Sequence, residues 1–292
     1  SFDTNGFSIS KNNDQPGQNN NGDGHVAWCW KAGGNSNTFN VDGRGYTTAA
    51  AAGITDGNVA ITGASVNTEA GFSVVTYTGS TASGALTVGH GLGKKPAWVI
   101  IKRTDASSDW IIGHKGLETT SGGFGNNKFL KFDTSAMFTN SLVWGVEPTT
   151  TVTQIVTDGN AGASNLTSSG TYVMYSWAEI PGYSKFGSYT GNGSTDGTYV
   201  HLGFKPAYLM IKNQNNGFNW VIQDYKRSPT NLCDNKLNPD STAVEQTDYD
   251  KLDMLSNGFK PRVSDAGINA SSSSYVYMAF AERPTGTFFG LD

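Results

Sequence analysis

Charge is scarce in this chain. Asp, Glu, Lys and Arg together make 15% of its 292 residues, against about a quarter in an ordinary globular domain. Solvent-facing helices need charged faces, so this scarcity argues against an α/β enzyme. The formal net charge of -4 gives no electrostatic pull toward nucleic acid or an anionic membrane surface. Cysteine is almost missing: Cys29 and Cys233 stand alone, without a metal-type spacing, and read as two separate buried thiols. No apolar run is long enough to span a bilayer, and no signal-peptide or lipidation pattern is present, which speaks against membrane insertion. The sequence opens Ser1-Phe2-Asp3-Thr4 without a methionine, which reads as a processed product or part of something longer.

Glycine is plentiful, at 37 residues. With abundant Ser, Thr and Asn, it describes many short strands joined by tight turns. Within that background one stretch returns. Lys95-Pro96-Ala97-Trp98-Val99-Ile100-Ile101-Lys102 reappears as Lys205-Pro206-Ala207-Tyr208-Leu209-Met210-Ile211-Lys212. Trp110 follows Pro96 by 14 residues, and Trp220 follows Pro206 by 14. A motif repeated at one internal spacing signals a repeated supersecondary unit. Proline suits the entrance of a strand, and the β-branched and aromatic run behind it suits the interior.

A second string occurs three times, as Val26-Ala27-Trp28-Cys29-Trp30-Lys31, Val173-Met174-Tyr175-Ser176-Trp177-Ala178 and Val276-Tyr277-Met278-Ala279-Phe280-Ala281. Alternate positions are apolar in every copy, as in a strand with one buried face. These strands are expected to be central. The expected organisation is therefore the end of an incomplete unit at 1–33, a linker or short hairpin at 34–70, and complete units at 71–183 and 184–292. Ala49-Ala50-Ala51-Ala52 is too short to hold a helix alone. The fold class is all-β, with tandem β-sandwich units of jelly-roll or lectin-like type.

Residues able to do chemistry are present but scattered. His25, His90, His114 and His201 share no metal spacing and read as turn or strand-edge residues. Glu179 and Glu282 hold equivalent places in two units, so they read as rim carboxylates pairing with a lysine rather than as the two acids of one glycosidase site. Gly89-His90-Gly91-Leu92-Gly93 lacks the ending of a phosphate loop and leads into a strand, so it is a turn. Lys102 and Lys212 are expected at the sheet rim, methylenes inward and ammonium outward, with a ligand contact as the other reading. Phe124, Phe138, Phe218, Phe288 and Phe289 are loop candidates for ligand or subunit contacts. The excursion from Arg227 to Asp250 is where binding variation is expected. No cofactor or metal is expected.

The strings Ala27-Trp28-Cys29-Trp30-Lys31-Ala32-Gly33, Gly71-Phe72-Ser73-Val74-Val75-Thr76-Tyr77-Thr78-Gly79 and Gly89-His90-Gly91-Leu92-Gly93-Lys94-Lys95-Pro96-Ala97-Trp98 resemble a repeated β-rich module. That module occurs in structural and tail-fibre-like proteins of tailed phages, notably marine cyanophages. The resemblance covers nearly the whole chain and implies a virion component, extracellular and non-enzymatic, that assembles with copies of itself or other virion proteins. The alternative expectation is a carbohydrate-binding module that recognises a host surface glycan, with a host protein as the other attachment partner, and an enzyme that degrades surface polysaccharide is the third. In such proteins the segment like 1–33 follows a first half that is missing here. The strand bearing Trp28 and Trp30 has an uncovered apolar face and edge, so it is expected either to be completed in cis, by residues 34–70 or 284–292, or to be donated to a neighbouring subunit, the favoured reading.

Overall fold

The computed structural model describes residues 2–3, 6–9, 22–80, 85–117, 124, 128–132, 134–135, 137–139, 143–156 and 170–282. The chain divides into residues 1–30 and residues 31–292. In the first part, β1 (Phe2–Asp3) and β2 (Gly6–Phe7) pair antiparallel, Phe2 opposite Phe7. The expected strand from Val26 to Lys31 is not there: residues 23–32 lie in no sheet. An alternating apolar pattern specifies which side of a strand is buried, but a ladder also needs an edge to bond.

The second part is all-β. Its strands are β3 (Phe39–Val41), β4 (Arg44–Tyr46), β5 (Ile61–Asn67), β6 (Phe72–Thr78), β7 (Ala85–Gly89), β8 (Pro96–Arg103), β9 (Ile111–His114), β10 (Lys128–Lys131), β11 (Met137–Thr139), β12 (Val152–Val156), β13 (Thr171–Ala178), β14 (Ser184–Thr190), β15 (Val200–His201), β16 (Tyr208–Asn213), β17 (Val221–Asp224), β18 (Leu252–Leu255), β19 (Gly258–Pro261) and β20 (Ser274–Phe280). One mixed sheet runs β11-β10-β9-β8-β13-β6-β5-β3-β4, and β12 pairs with β7 beside it. A second sheet runs β14-β20-β16-β17, accompanied by β15-β19-β18.

The repeat is visible in these orders. β9-β8-β13-β6 in the first half corresponds to β17-β16-β20-β14 in the second. The aromatic strands β13 and β20 are central, as their composition predicts. Tyr77 lies opposite Tyr172 and stacks on it at 5.2 Å, and Tyr189 lies opposite Tyr275 and stacks at 5.0 Å. Region 34–70 is more than a linker. It supplies the β3–β4 hairpin and the seven-residue β5, which extends the large sheet beside β6. The hairpin turns on Asp42-Gly43, both at positive φ, which is the two-residue turn that suits strand twist. The alanines form a turn, closed by the Ile54 amide on the Ala49 carbonyl at 2.9 Å.

Each half buries its own core. Leu86, Val88 and Ile155 of the β7–β12 pair join Val75, Tyr77, Val99, Ile101 and Met174 of the large sheet. Val200, Met254 and Phe259 join Tyr189, Leu209, Ile211 and Tyr277 in the second half. The opposite faces of the two large sheets meet each other. There Trp98 packs on Trp220 at 5.7 Å and on Phe186 at 6.3 Å, and Phe132 packs on Trp220 at 5.6 Å. β16, β17 and β20 are therefore buried along both faces. This is why Tyr208–Ile211 of β16 and Tyr275–Phe280 of β20 read as continuous apolar runs instead of alternating.

Candidate functional surfaces

The repeated lysines turn inward. Lys102 Nζ donates to the Ser108 carbonyl and sits 5.9 Å from the Trp110 ring, so it clasps the turn behind its own strand. Lys212 repeats the bond six residues on, to the Phe218 carbonyl at 2.7 Å. It adds the Asn213 carbonyl at 3.1 Å and, across the junction between halves, the Ser135 carbonyl at 2.9 Å. The expectation of a rim lysine fails for Lys212, which is fully buried. Burial lowers its pKa to about 8, opposed by Asp240 nearby. Three carbonyl acceptors use its three protons, so the ammonium is saturated by backbone.

The glutamates take the rim role. Glu179 pairs with Lys115 at 2.5 Å and also accepts the Phe186 amide at 3.0 Å. Glu282 pairs with Lys226 at 3.0 Å. Two of the histidines are interior. His90 accepts the Leu92 amide on Nδ1 at 3.2 Å and donates from Nε2 to the Thr149 carbonyl at 3.3 Å. His114 accepts the Gly116 amide on Nδ1 at 2.8 Å and donates to the Tyr277 carbonyl at 3.1 Å, joining the halves. Burial lowers His90 to about 4 and His114 to about 3, so both rings are neutral at physiological pH. The turn holding His90 needs its glycines: Gly91 and Gly93 sit at φ 71° and 64°.

The aromatic candidates separate. Phe124 is a correction: it is 1% exposed and packs edge-on against Trp144 at 5.2 Å. Its ring belongs to the core of the first half, and nothing in an isolated Phe distinguishes a buried ring from an exposed one. Phe138 lies in β11, paired with Phe129. Phe218 is 39% exposed, with its carbonyl engaged by Lys212. Phe288 and Phe289 lie outside the described residues. Trp28 and Trp30 are half-buried within residues 1–30. Cys233 is buried, its thiol pushed up to about 11 by desolvation, while Cys29 is exposed.

The excursion from Arg227 to Asp250 is tied down along its length. Leu237 bridges Ile222, Lys236 bridges Gln246 and Cys233 bridges Leu252. Arg227 joins Asp224 at 2.6 Å and Glu245 at 2.5 Å. Asp224 also accepts the Lys226 and Arg227 amides at 3.1 and 3.0 Å. The excursion still presents apolar side chains to solvent, with Val244 83% and Tyr249 58% exposed. A second exposed group escaped sequence reasoning. The Tyr199 hydroxyl donates to Asn257 Oδ1 at 2.8 Å and lies 3.3 Å from His201 Nδ1. Tyr199 and His201 flank Val200 of β15 and Asn257 precedes β19, so the pairing of β15 with β19 is what brings the asparagine to the other two.

A concavity of about 430 Å³ is lined by Lys31, Asp42, Thr68 and Glu69 among others. The Asp42 carboxylate there is used up by the Thr68 amide at 2.8 Å and hydroxyl at 2.7 Å. Among the described residues, no group of three or more His, Cys, Asp or Glu is placed to hold a metal ion. No helix among them is long and apolar enough to cross a membrane.

The chain belongs to the family described as Domain of unknown function (DUF7483), whose model matches residues 1–284. No curated protein and no solved structure matches the chain.

Proposed function

We propose that this DUF7483 member is a non-enzymatic structural component of a virion, of fibre or surface-appendage type, working through assembly and attachment. The observation that carries this reading is what the repeated charged residues do. Lys102 and Lys212 clasp backbone carbonyls, and Glu179 and Glu282 hold lysines at the sheet ends. The repeat spends its charges on holding shape. The phage-module resemblance of its motifs supports the same reading.

Assembly is assigned to residues 1–30, whose strand-patterned stretch around Trp28 and Trp30 gains a ladder by adding to a sheet edge of another copy. Deleting residues 1–30 tests this, with sizing by light scattering and circular dichroism. The cut falls before Gly33, whose amide bonds Ser65 Oγ at 2.9 Å and whose carbonyl accepts the Gly43 amide at 2.7 Å. A folded truncation that has lost its oligomer supports donation. A full-length chain that stays monomeric at high concentration sinks it.

The second reading is recognition of a host surface glycan, favoured by the exposed Tyr199 ring flanked by His201 and Asn257. An aromatic face beside polar groups is a sugar-stacking arrangement. Glycan arrays with wild type and Tyr199→Ala separate the readings: binding lost in the variant supports recognition, and blank arrays leave assembly alone.

A further inference from the structure

The excursion holds a lysine–carboxylate pair unlike the others. Lys95–Glu147, Lys115–Glu179 and Lys226–Glu282 keep both partners at least a third exposed. Lys131–Asp109 and Lys260–Asp196 expose the carboxylate. In Lys236–Asp250 the lysine side chain is 12% and the aspartate 2% exposed, with Nζ on Oδ2. The other oxygen, Asp250 Oδ1, has no hydrogen-bond donor. A second carboxyl, that of the exposed Asp265, acts on Asp250 from nearby, while its own Oδ1 accepts the Gly267 amide at 2.7 Å. The space between them exists because residue 267 is glycine: a Cβ there would stand 2.5 Å from Asp250 Oδ1 and 3.1 Å from Asp265 Oδ1.

We propose that Lys236 and Asp250 are joined by an intramolecular isopeptide bond, with Asp265 as the carboxyl that moves the protons. The step balances without any co-reactant. Within the buried ion pair a proton passes from the ammonium to the Asp250 carboxylate, leaving a neutral amine against a neutral acid. The Nζ lone pair attacks Cγ, and the C–N bond forms. Asp265 takes a proton from Nζ and delivers it to the departing oxygen, and the C–O bond breaks. The products are one amide and one water, and the paired charges cancel, so the net charge of the chain is unchanged.

Three features support this chemistry. Desolvation raises Asp250 to about 6, with Asp265 adding to the rise and Lys236 opposing it, so its neutral acid form is within easy reach. The Tyr249 ring lies 5.3 Å from Nζ and screens it from water. Both reactants are held in place from their backbones. Lys236 exchanges hydrogen bonds with Gln246 at 2.9 and 3.0 Å, and the Asp250 carbonyl accepts Gln223 Nε2 at 3.1 Å. Such positioning replaces an encounter by a neighbour's attack. The bond would close the excursion into a ring, whatever the protein assembles with or binds.

Intact-mass spectrometry of the purified full-length chain tests it. The wild type should weigh one water less than its sequence. Trypsin should leave residues 228–251 as one piece, uncut after Lys236 and lighter by that water. Lys236→Arg keeps the ion pair and cannot close the ring in this way, so it should show the full sequence mass with an unchanged near-ultraviolet circular dichroism spectrum. Asp265→Asn should fold and accumulate unlinked chain. A folded wild type that keeps the full mass after prolonged incubation at neutral pH overturns the proposal. So does a water loss that maps elsewhere, or cleavage after Lys236 at the ordinary rate.

Discussion

The two halves of residues 31–292 place the same four strands in the same order and finish their sheets differently. Outside β9, the first half adds β10, with Leu130 opposite Ile112. Outside β17, the second half sets Leu237 of the excursion opposite Ile222. The Arg227–Asp250 excursion thus occupies the place of β10 and β11, loosened into isolated bridges. At the other edge the halves part. β6 is continued by β5, β3 and β4, whereas β14 ends its sheet. Side chains cover part of that edge: Glu179 takes the Phe186 amide, and the Thr198 hydroxyl donates to the Thr190 carbonyl at 2.7 Å. Carboxylates and capping groups on an edge discourage further strand addition. A repeat therefore preserves its central strands and is free to vary at its borders.

Equivalent positions also diverge in burial, and this gives the sharpest test. Trp220 is fully buried, packs on Trp98 and Phe132, and donates from Nε1 to the Lys131 carbonyl at 2.9 Å. Trp110, its counterpart, is only half-buried, against Tyr175 at 6.4 Å. Trp220→Ala should cost about 3–5 kcal/mol of unfolding free energy and Trp110→Ala about 1–2 kcal/mol. Denaturant titration measures both. Equal losses would erase the distinction between the halves.

Acid should weaken the halves unequally. His114 opposite Trp98 corresponds to Asp224 opposite Tyr208. Both interior histidines have folded pKa values below the ordinary one. Their contribution is complete above about pH 6.5 and drains away as pH falls toward about 4 for His90 and about 3 for His114. Asp250, wherever it is not cross-linked, works in the opposite sense. Its raised value favours folding at low pH, and that contribution is lost as pH rises from about 4 through about 6. Between pH 7.5 and 5 the two histidines together should cost about 3–4 kcal/mol, and Asp250 should return on the order of 1 kcal/mol. Hydrogen exchange should lose protection first around His90 and His114. His114→Gln should flatten the pH profile, and an unchanged profile would contradict the assignment.

Lys212 and Lys102 make a third pair. Lys212→Met strands three carbonyls and should cost about 2–4 kcal/mol, whereas Lys102→Met, at a partly solvated turn, should cost about 1 kcal/mol. Thermal unfolding of the two variants decides it, and a larger loss at Lys102 would reverse the comparison. The smallest contrast lies in the glutamates. Glu179→Ala removes an edge cap as well as an ion pair and should cost about 1–2 kcal/mol, while exposed Glu282→Ala should stay within about 0.5 kcal/mol. Sedimentation should show Glu179→Ala self-associating more readily, and equal behaviour would deny Glu179 its capping role.

Much of this was legible in the residues. The Lys-Pro strand, its partner across the turn and the aromatic central strand follow from local composition and from the spacing of Pro96 to Trp110 and Pro206 to Trp220. The rim role of Glu179 and Glu282 follows from their equivalence. What was hidden depends on the docking of one half on the other. The rim reading failed for Lys212 because the acceptor that completes its burial, the Ser135 carbonyl, lies 77 residues away in sequence. Phe124 was misplaced because its burial rests on Trp144, a contact within the first half's own core that local sequence does not signal. The strand from Val26 was expected on pattern alone, and pattern does not supply a bonding edge. Lys236 and Asp250 meet because Lys236 bridges Gln246 and Cys233 bridges Leu252, so the excursion folds back on itself and on the start of β18.

The aromatic face between the halves sets a schedule during synthesis. Trp98 and His114 are made early, and the strands that cover them belong to the second sheet. Its central strand, β20, ends at Phe280, so that sheet cannot form until nearly all of the described chain exists. The interval between Ser184 and Phe280 lasts on the order of ten seconds at ordinary elongation rates. For that time a finished first sheet waits with tryptophan and histidine uncovered. A chain cut short there would carry that aromatic face uncovered, the kind of exposed apolar surface that makes incomplete chains prone to aggregate.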